Sequence, residues 1–144
     1  MVSLAAVIVP VLCITIGVSV SVTWKWRIIK INFKQNGGKP LNQYGVRIFI
    51  EAELAKATNN YNDNNKHGEG GFGSVYQGRI EVDTMVAVKK PKDVHKSLVK
   101  GDFQHKIKIV TQINHRKVVK LKGICLETRI PLLVYEYDSN GTLF

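Results

Sequence analysis

The sequence predicts an α+β fold: an antiparallel sheet of about five strands with one main helix, preceded by a single membrane-spanning helix. Three observations lead to this prediction. Residues 1–24 contain no charged residue, although the chain has 21 Lys and Arg and 11 Asp and Glu residues. β-favouring segments then follow in two pairs, each pair preceded by a helical segment. At 144 residues the chain has room for about one domain besides the apolar segment.

The apolar segment fits a transmembrane helix, which we assign to residues 1–24. As a helix, Val2–Thr23 would be roughly 33 Å long at 1.5 Å per residue, enough to cross the core of a bilayer. Pro10 is tolerated in a helix of this kind, where neighbours satisfy the freed carbonyl. Two alternatives stay open. A secretory signal peptide has a basic start and a shorter apolar core, and a soluble protein could bury such a helix.

Basic residues follow the apolar segment, with no acidic residue before Glu51. They are Lys25, Arg27, Lys30, Lys34 and Lys39. Because such residues collect on the cytoplasmic side, we expect a single-pass protein of the plasma membrane with a cytosolic carboxy-terminal part. Residues 25–46 are predicted as a basic juxtamembrane linker, which could also attract anionic lipids. This stretch supplies half of the net charge of +10. Since no nucleic-acid motif accompanies the rest, we expect no nucleic-acid partner.

Residues 47–144 carry the patterns of the predicted domain. Glu51–Thr58 is rich in helix formers and ends at Asn59-Asn60. The segments "SVYQGRI" and "TMVAVKK" predict two strands around the turn "EVD". Helical spacing marks "DFQHKIKIVTQI" (102–113), and "VVKLKGICLE" and "IPLLVYEY" predict two more strands. The two cysteines, Cys13 and Cys125, form neither a metal-binding spacing nor a disulfide framework, so we expect no metal site.

The stretch "HGEGGFGSVYQG" (67–78) contains a G-x-G-x-x-G pattern. A dinucleotide-binding loop needs a strand before it and a helix after it, but here a polar segment precedes and a β-favouring one follows. A Walker-type loop needs Lys before Ser or Thr after the last glycine, and Ser74-Val75 stands there instead. A glycine-rich hairpin remains, whose backbone N–H groups could approach phosphate oxygens. An ordinary hairpin without a ligand is the alternative.

Three residues after the glycines make the phosphate interpretation stronger. Val75 would face a planar base, and Ala87 and Lys89, two residues apart on the next strand, would point to the same face. A small alanine leaves room for a base, and an ammonium group further along reaches its phosphates. A single strand lysine is most often solvated. The combination in this order therefore favours a nucleotide site.

These residues resemble the amino-terminal lobe of a protein kinase, with "GEGGFGSV" as the glycine loop and "VAVK" ending in the strand lysine, Lys89. A closer resemblance lies in "IFIEAELAKATNNY", "QINHRKVVKLKGICLE" and "PLLVYEYDSNGTLF". These segments are similar to the plant wall-associated receptor kinases, single-span receptors with a cytosolic Ser/Thr kinase domain. The resemblance covers residues 47–144, which it implies are a kinase amino-terminal lobe and an incomplete kinase domain.

The resemblance implies that ATP is bound, accompanied by Mg²⁺ in a complete kinase domain. Val75 and Ala87 would line the adenine, and Tyr135 would sit at the gatekeeper position. The remaining residues implied in nucleotide binding are Gly68, Gly70, Gly71, Phe72 and Gly73 over the phosphates, Lys89 on the α- and β-phosphates, and the hinge backbone of Glu136 and Asp138.

The sequence departs from the family pattern in several places. The catalytic aspartate and the magnesium ligands follow the hinge in kinases, and the chain stops at Phe144, so we expect no catalytic or metal-binding residue and no phosphate transfer by this chain alone. "NHR" (114–116) is not the catalytic H-R-D, since it lacks the aspartate.

Lys106 replaces a glutamate that pairs with the strand lysine, Lys89, in this family. Two ammonium groups about 4 Å apart would repel by roughly 4 kcal/mol at an effective dielectric near 20.

Two further departures concern smaller contacts. His67 stands where the family has an aliphatic residue over the adenine. Ile50 stands where Thr or Ser commonly caps the following helix, and the loss of such a cap costs about 1 kcal/mol.

Two functions are compatible with these patterns. The first is the membrane-anchored, ATP-binding portion of a receptor-like Ser/Thr kinase in cell-surface signalling, with much weaker ATP binding than a complete kinase domain. The alternative is a pseudokinase-like docking module that binds other receptor kinases without catalysis. A non-functional product would also fit.

Overall fold

A computed structural model describes residues 3–38, 46–92, 109 and 119–137 of the chain. Within these ranges the elements are α1 (Leu4–Gln35), β1 (Arg47–Phe49), α2 (Glu51–Ala57), a short 3-10 helix (Asp63–Asn65), β2 (Lys66–Gly70), β3 (Gly73–Glu81), β4 (Thr84–Pro91), β5 (Leu121–Cys125) and β6 (Leu132–Glu136). Except for Ile109, the main helix predicted over residues 102–113 lies outside the described residues.

The strands form one curled, mixed sheet in the order β1-β5-β6-β4-β3-β2. The five strands from β2 to β6 pair antiparallel throughout, which confirms the predicted sheet and the α+β class. A sixth strand, β1, adds to the edge and runs parallel to β5. We predicted no strand at Arg47–Phe49, because three residues just before a helix are too few to show an alternating pattern.

The register gives the sheet two faces, since residues directly opposite each other on neighbouring strands point to the same side. One face, which we name the Lys89 face, carries Val75, Ala87, Lys89, Leu133 and Tyr135. The opposite face, which we name the Leu54 face, carries Val86, Val88, Leu132, Val134 and Cys125.

The main hydrophobic core covers the Leu54 face. Leu54 of α2 and Phe49 of β1 pack there against five strand residues, and every member of the cluster is at most 2% exposed. Burial raises the pKa of the Cys125 thiol to about 11, so this side chain stays protonated at neutral pH and packs as a small apolar group. Helix α2 is therefore fixed to the sheet by its one buried side chain.

Helix α2 begins without a local cap. Ile50 occupies the N-cap position and its side chain makes no capping hydrogen bond. The backbone N–H of Glu51 instead donates to Oε2 of Glu127, at 2.8 Å. A carboxylate at a helix N-terminus also interacts favourably with the helix dipole. The connection between β5 and β6 thus supplies the cap that Ile50 lacks.

A second cluster, formed by Val46, Ile124 and Leu126, lies on the Lys89 face at the β1–β5 edge, and Phe33 of α1 packs against it. The neighbouring amides of α1 bond the β5–β6 connection. Nδ2 of Asn32 donates to the Glu127 carbonyl at 2.9 Å, and Nδ2 of Asn36 donates to the carbonyls of Leu126 and Thr128, each at 3.0 Å. The last two turns of α1 therefore contact the sheet domain directly.

Helix α1 runs past residue 24, the predicted end of the transmembrane segment, to Gln35. The first part of the predicted linker is thus helical. No helix-breaking residue occurs there before Gly37, whose φ of 78° is the left-handed conformation that commonly ends a helix. Among the described residues, α1 is the one helix long and apolar enough to cross a membrane, by length and composition alone.

Candidate functional site

The glycine-rich stretch forms a tight hairpin at the β2 edge of the sheet. Gly70 pairs with Gly73, so Gly71 and Phe72 make the turn. Gly73 has a φ of 144°, and a Cβ there would collide with the carbonyl oxygen of Lys90 and lie 2.8 Å from Cα of Pro91. The fold itself therefore requires glycine at position 73.

The other three glycines of the hairpin are not required by packing. A Cβ atom added to Gly68, Gly70 or Gly71 would have no heavy atom within 4 Å. Among the described glycines, only Gly37 and Gly73 have a positive φ, so backbone conformation does not explain these three either. Their missing side chains leave the hairpin backbone uncovered, as a closely approaching ligand would require.

Three predicted site residues lie together on the Lys89 face. Val75 is directly opposite Lys89, and Ala87 is two residues from Lys89 on β4. Ala87 is 1% exposed, whereas Val75 and Lys89 are partly exposed. Because Ala87 has no side chain beyond Cβ, the sheet surface next to Lys89 along β4 is shallow. This surface can take a flat apolar group beside an ammonium group.

The two consecutive lysines of β4 have different surroundings. Nζ of Lys90 lies 4.4 Å from the ring centroid of Tyr61, a cation–π contact on the Leu54 side of the strand. Lys89 points to the opposite face and makes no ion pair with any residue in the described ranges. Lys90 therefore has a structural contact, and the described residues show no comparable contact for Lys89.

The end of β6 borders the same face. Burial raises the pKa of the Tyr135 hydroxyl, so this side chain, opposite Ala87, is neutral at physiological pH. The N–H of Glu136 donates to the Lys120 carbonyl at 2.9 Å, so this N–H already has a partner in the protein. Asp138, the other predicted hinge residue, lies outside the described residues.

A chain of ion pairs holds the outer side of the hairpin. Glu69 bonds Nζ of Lys92 and Nζ of Lys66, both at 2.9 Å, and Lys66 also contacts Asp63 at 3.1 Å. The hydrogen bonds from Lys92 and Lys66 lower the pKa of Glu69 to about 2. Its two carboxylate partners raise the pKa of Lys66. Lys66 is partly buried and the other three groups are exposed, so these ion pairs position the hairpin more than they stabilise the fold.

One contact joins the hairpin to the end of β6. Oη of Tyr137 and Nε2 of His67 share a hydrogen bond of 3.1 Å. Their rings meet edge to face, with centroids 5.4 Å apart and an interplanar angle of 75°. The sequence marked His67 as a departure from the family pattern but gave no sign of Tyr137, because no local pattern links residues 70 positions apart.

Several predicted features fall outside the described residues. Lys106 is among them, and with it the predicted repulsion from Lys89. In the described ranges, no group of three or more His, Cys, Asp or Glu residues could hold a metal ion.

A comparison with models of protein families identifies the family to which this chain belongs. A family model described as protein tyrosine and serine/threonine kinase matches residues 62–144, from just before the hairpin to the end of the chain. The chain belongs to the protein kinase family. The match includes β2 to β6, whereas α1, β1 and α2 precede it.

Within the protein kinases, the chain is similar to wall-associated receptor kinases of a plant. Wall-associated receptor kinase 1 of Arabidopsis thaliana is 46% identical over 121 residues, which are 78% of this chain and 16% of that protein. Wall-associated receptor kinase 5 of the same plant is 45% identical over 121 residues, which are again 78% of this chain and 16% of that protein. Wall-associated receptor kinase-like 1 is 41% identical over 143 residues, 87% of this chain and 20% of that protein. The predicted resemblance is confirmed, and the chain spans at most about a fifth of the length of these kinases.

Proposed function

We propose that this chain binds ATP on the Lys89 face, as part of a membrane-anchored, receptor-like Ser/Thr kinase that acts in cell-surface signalling. One observation carries the proposal: three hairpin glycines face open space and are required neither by packing nor by backbone conformation. They border a face that also presents Val75, Ala87 and Lys89. An ordinary structural hairpin would not need these glycines.

Each part of ATP has a chemically suitable partner in this arrangement. The adenine would lie against Val75 and Ala87, whose small, apolar side chains suit a flat base. Backbone N–H groups of the hairpin and the Lys89 ammonium would hold the phosphates. In a complete kinase domain, Mg²⁺ accompanies ATP and is held by the catalytic-loop asparagine and the D-F-G aspartate; the described residues contribute neither.

The membrane part of the proposal is supported by α1. The helix has 32 residues and no buried residue, so its apolar surface is free to face lipid. Its last two turns contact the sheet domain, which would place that domain next to the cytoplasmic surface. Docking to other receptor kinases is a further prediction from the sequence.

The test of ATP binding compares the two β4 lysines in the full chain, reconstituted in lipid nanodiscs. ATP is titrated while the amide signals of residues 68–73 are followed by NMR. We expect weak binding that perturbs these amides, about a tenfold loss of affinity in Lys89→Met, and less than a twofold change in the control Lys90→Met. Equal losses in both variants, or shifts only outside the hairpin, would reject ATP binding at this site.

The topology can be tested with a sequence already present in the chain. Asn140-Gly141-Thr142 is a glycosylation acceptor, which is modified only on the luminal side. We expect the chain synthesised with microsomes to be membrane-bound and unglycosylated, and its sheet domain to be digested by added protease. Glycosylation that disappears in Thr142→Ala would show the opposite orientation.

A further inference from the structure

We propose that His67 and Tyr137 form a clasp that holds the glycine hairpin against the end of β6 and has to open before an adenine base enters. This inference rests on the proposed ATP binding and adds a means of regulating the same site. Within the described residues, the clasp joins β2 to the segment after β6 through both a hydrogen bond and a ring contact.

The position of the two strands makes this contact unexpected. Strands β2 and β6 are separated by β3 and β4. Three strand spacings in a flat sheet amount to about 14 Å, far more than the 5.4 Å between the ring centroids. The curl of the sheet and the reach of the two side chains together bring the rings into contact, and the clasp bridges the Lys89 face.

A local irregularity of β2 directs His67 toward its partner. Lys66 pairs with Tyr76, and Gly68 pairs with the adjacent Val75, so His67 is an extra residue in the ladder. Such bulges re-aim side chains. On the other side, Tyr137 follows Tyr135 by two residues, and strand alternation therefore directs it to the Lys89 face.

The clasp is built to open. His67 is exposed and Tyr137 is half-buried, so water can replace their hydrogen bond at small cost. The neighbouring Gly68 has no packing contact at its Cβ position that would otherwise fix the backbone. Because the two rings are in edge-to-face contact, a base that enters between the hairpin and the end of β6 at this point has to separate them.

An opening requirement lowers the apparent affinity for the nucleotide. Only the open fraction of molecules can bind, so the apparent dissociation constant exceeds the intrinsic one by the inverse of that fraction. Weakening the clasp should therefore tighten nucleotide binding, although it removes a contact of the free protein. A side chain that only supported the fold would give the opposite result.

The experiment uses the full chain in nanodiscs, with wild type, Tyr137→Phe, His67→Leu and the control Thr84→Val. Tyr137→Phe removes the hydroxyl and keeps the ring, whereas His67→Leu removes both contacts. Thr84 is exposed at the start of β4, and its substitution also removes one hydroxyl. Imidazole resonances are recorded without nucleotide, hydrogen exchange is measured for residues 66–73, and ATP is then titrated.

We expect Tyr137→Phe to shift the His67 resonance, to accelerate hairpin exchange about two- to fivefold, and to tighten ATP binding by a similar factor. His67→Leu should accelerate exchange further, and Thr84→Val should change none of these. An unmoved His67 resonance, or faster exchange with unchanged or weaker ATP binding, would overturn the clasp. If none of the proteins binds ATP, the proposed function fails, while the resonance and exchange data still decide whether the clasp exists.

Discussion

The two edges of the sheet are built in opposite ways. At the β1–β5 edge, a Cβ on Gly123 would collide with the Phe49 ring and the Arg47 carbonyl. At the β2–β3 edge, three glycines face open space, and the ion pairs of Glu69 are exposed. Glycine thus permits close packing at one edge and leaves backbone uncovered at the other.

This difference suggests that the β1–β5 edge, which we name the closed edge, stabilises the fold, and that the β2–β3 edge, which we name the open edge, binds the ligand. The closed edge contains buried side chains, the contact with α1 and the cap of α2. The open edge is fixed by exposed ion pairs and by one exposed clasp. Segments that move to admit ligands are drawn from the least stable parts of a fold. We therefore expect mutations at the closed edge to change stability and mutations at the open edge to change binding.

The largest expected difference between the two edges is in how the free energy of unfolding responds to one added methyl group. Gly123→Ala places a Cβ into the ring of Phe49, and we expect a loss of about 3 kcal/mol or more in the free energy of unfolding. The matched variant Gly70→Ala, whose Cβ meets open space, should change it by less than about 0.5 kcal/mol. Denaturant unfolding of the full chain measures both. Similar losses in the two variants would contradict the distinction between the edges.

A smaller effect is expected where α1 meets the closed edge. Asn36→Ala removes two hydrogen bonds to the Leu126 and Thr128 carbonyls, which should destabilise this contact by about 1–3 kcal/mol. The control, Gln35→Ala, changes an exposed neighbour and should have no effect. Hydrogen exchange of residues 126–130 measures the difference. Unchanged exchange in Asn36→Ala would mean that α1 does not support the sheet domain.

The elements of the fold that depend on local sequence patterns could be predicted from the sequence. Alternating apolar residues identify β3 to β6, helix formers identify α2, and the glycines identify the hairpin. Strand alternation alone also assigns Ala87 and Lys89 to one face. These elements depend on residues a few positions apart, which is why they could be predicted.

Contacts between distant residues could not be predicted in this way. Strand β1 exists because Gly123, far along the chain, lets Phe49 approach. The clasp depends on a bulge at His67 and on the curl of the sheet, neither of which has a sequence signal. The loss of a local cap at Ile50 was predicted, whereas its replacement by Glu127 was not, because 76 positions separate Glu127 from Glu51.

The replaced cap gives a third test at the closed edge. Glu127→Ala removes the acceptor for the Glu51 N–H and should cost about 1 kcal/mol. Ile50→Ser should restore most of that loss in the Glu127→Ala background and add little to the wild type, since one N–H needs one acceptor. Unfolding of the four proteins completes a double-mutant cycle. Additive effects would show that the two residues do not serve the same helix end.

The smallest effect concerns charge at the open edge. Lys92 and Lys66 lower the pKa of Glu69 to about 2 from an ordinary value of 4.5. A carboxylate with a depressed pKa keeps its ion pairs above about pH 4.5 and loses them as the pH falls toward 2. We therefore expect the carboxyl carbon signal of Glu69 to titrate near pH 2 and hairpin exchange, corrected for the intrinsic rate, to increase across that window.

Substitution of the lysines identifies the cause of this shift. Lys92→Gln should raise the pKa of Glu69 toward its ordinary value, because Lys92 makes the largest contribution. Lys90→Gln removes a neighbouring charge that lies over Tyr61 and should leave the Glu69 pKa almost unchanged. The groups are exposed, so neither variant should alter the free energy of unfolding measurably. A wild-type Glu69 that titrates near 4.5 would show that the ion pairs do not hold the hairpin in solution, and the clasp at His67 would then be its main attachment.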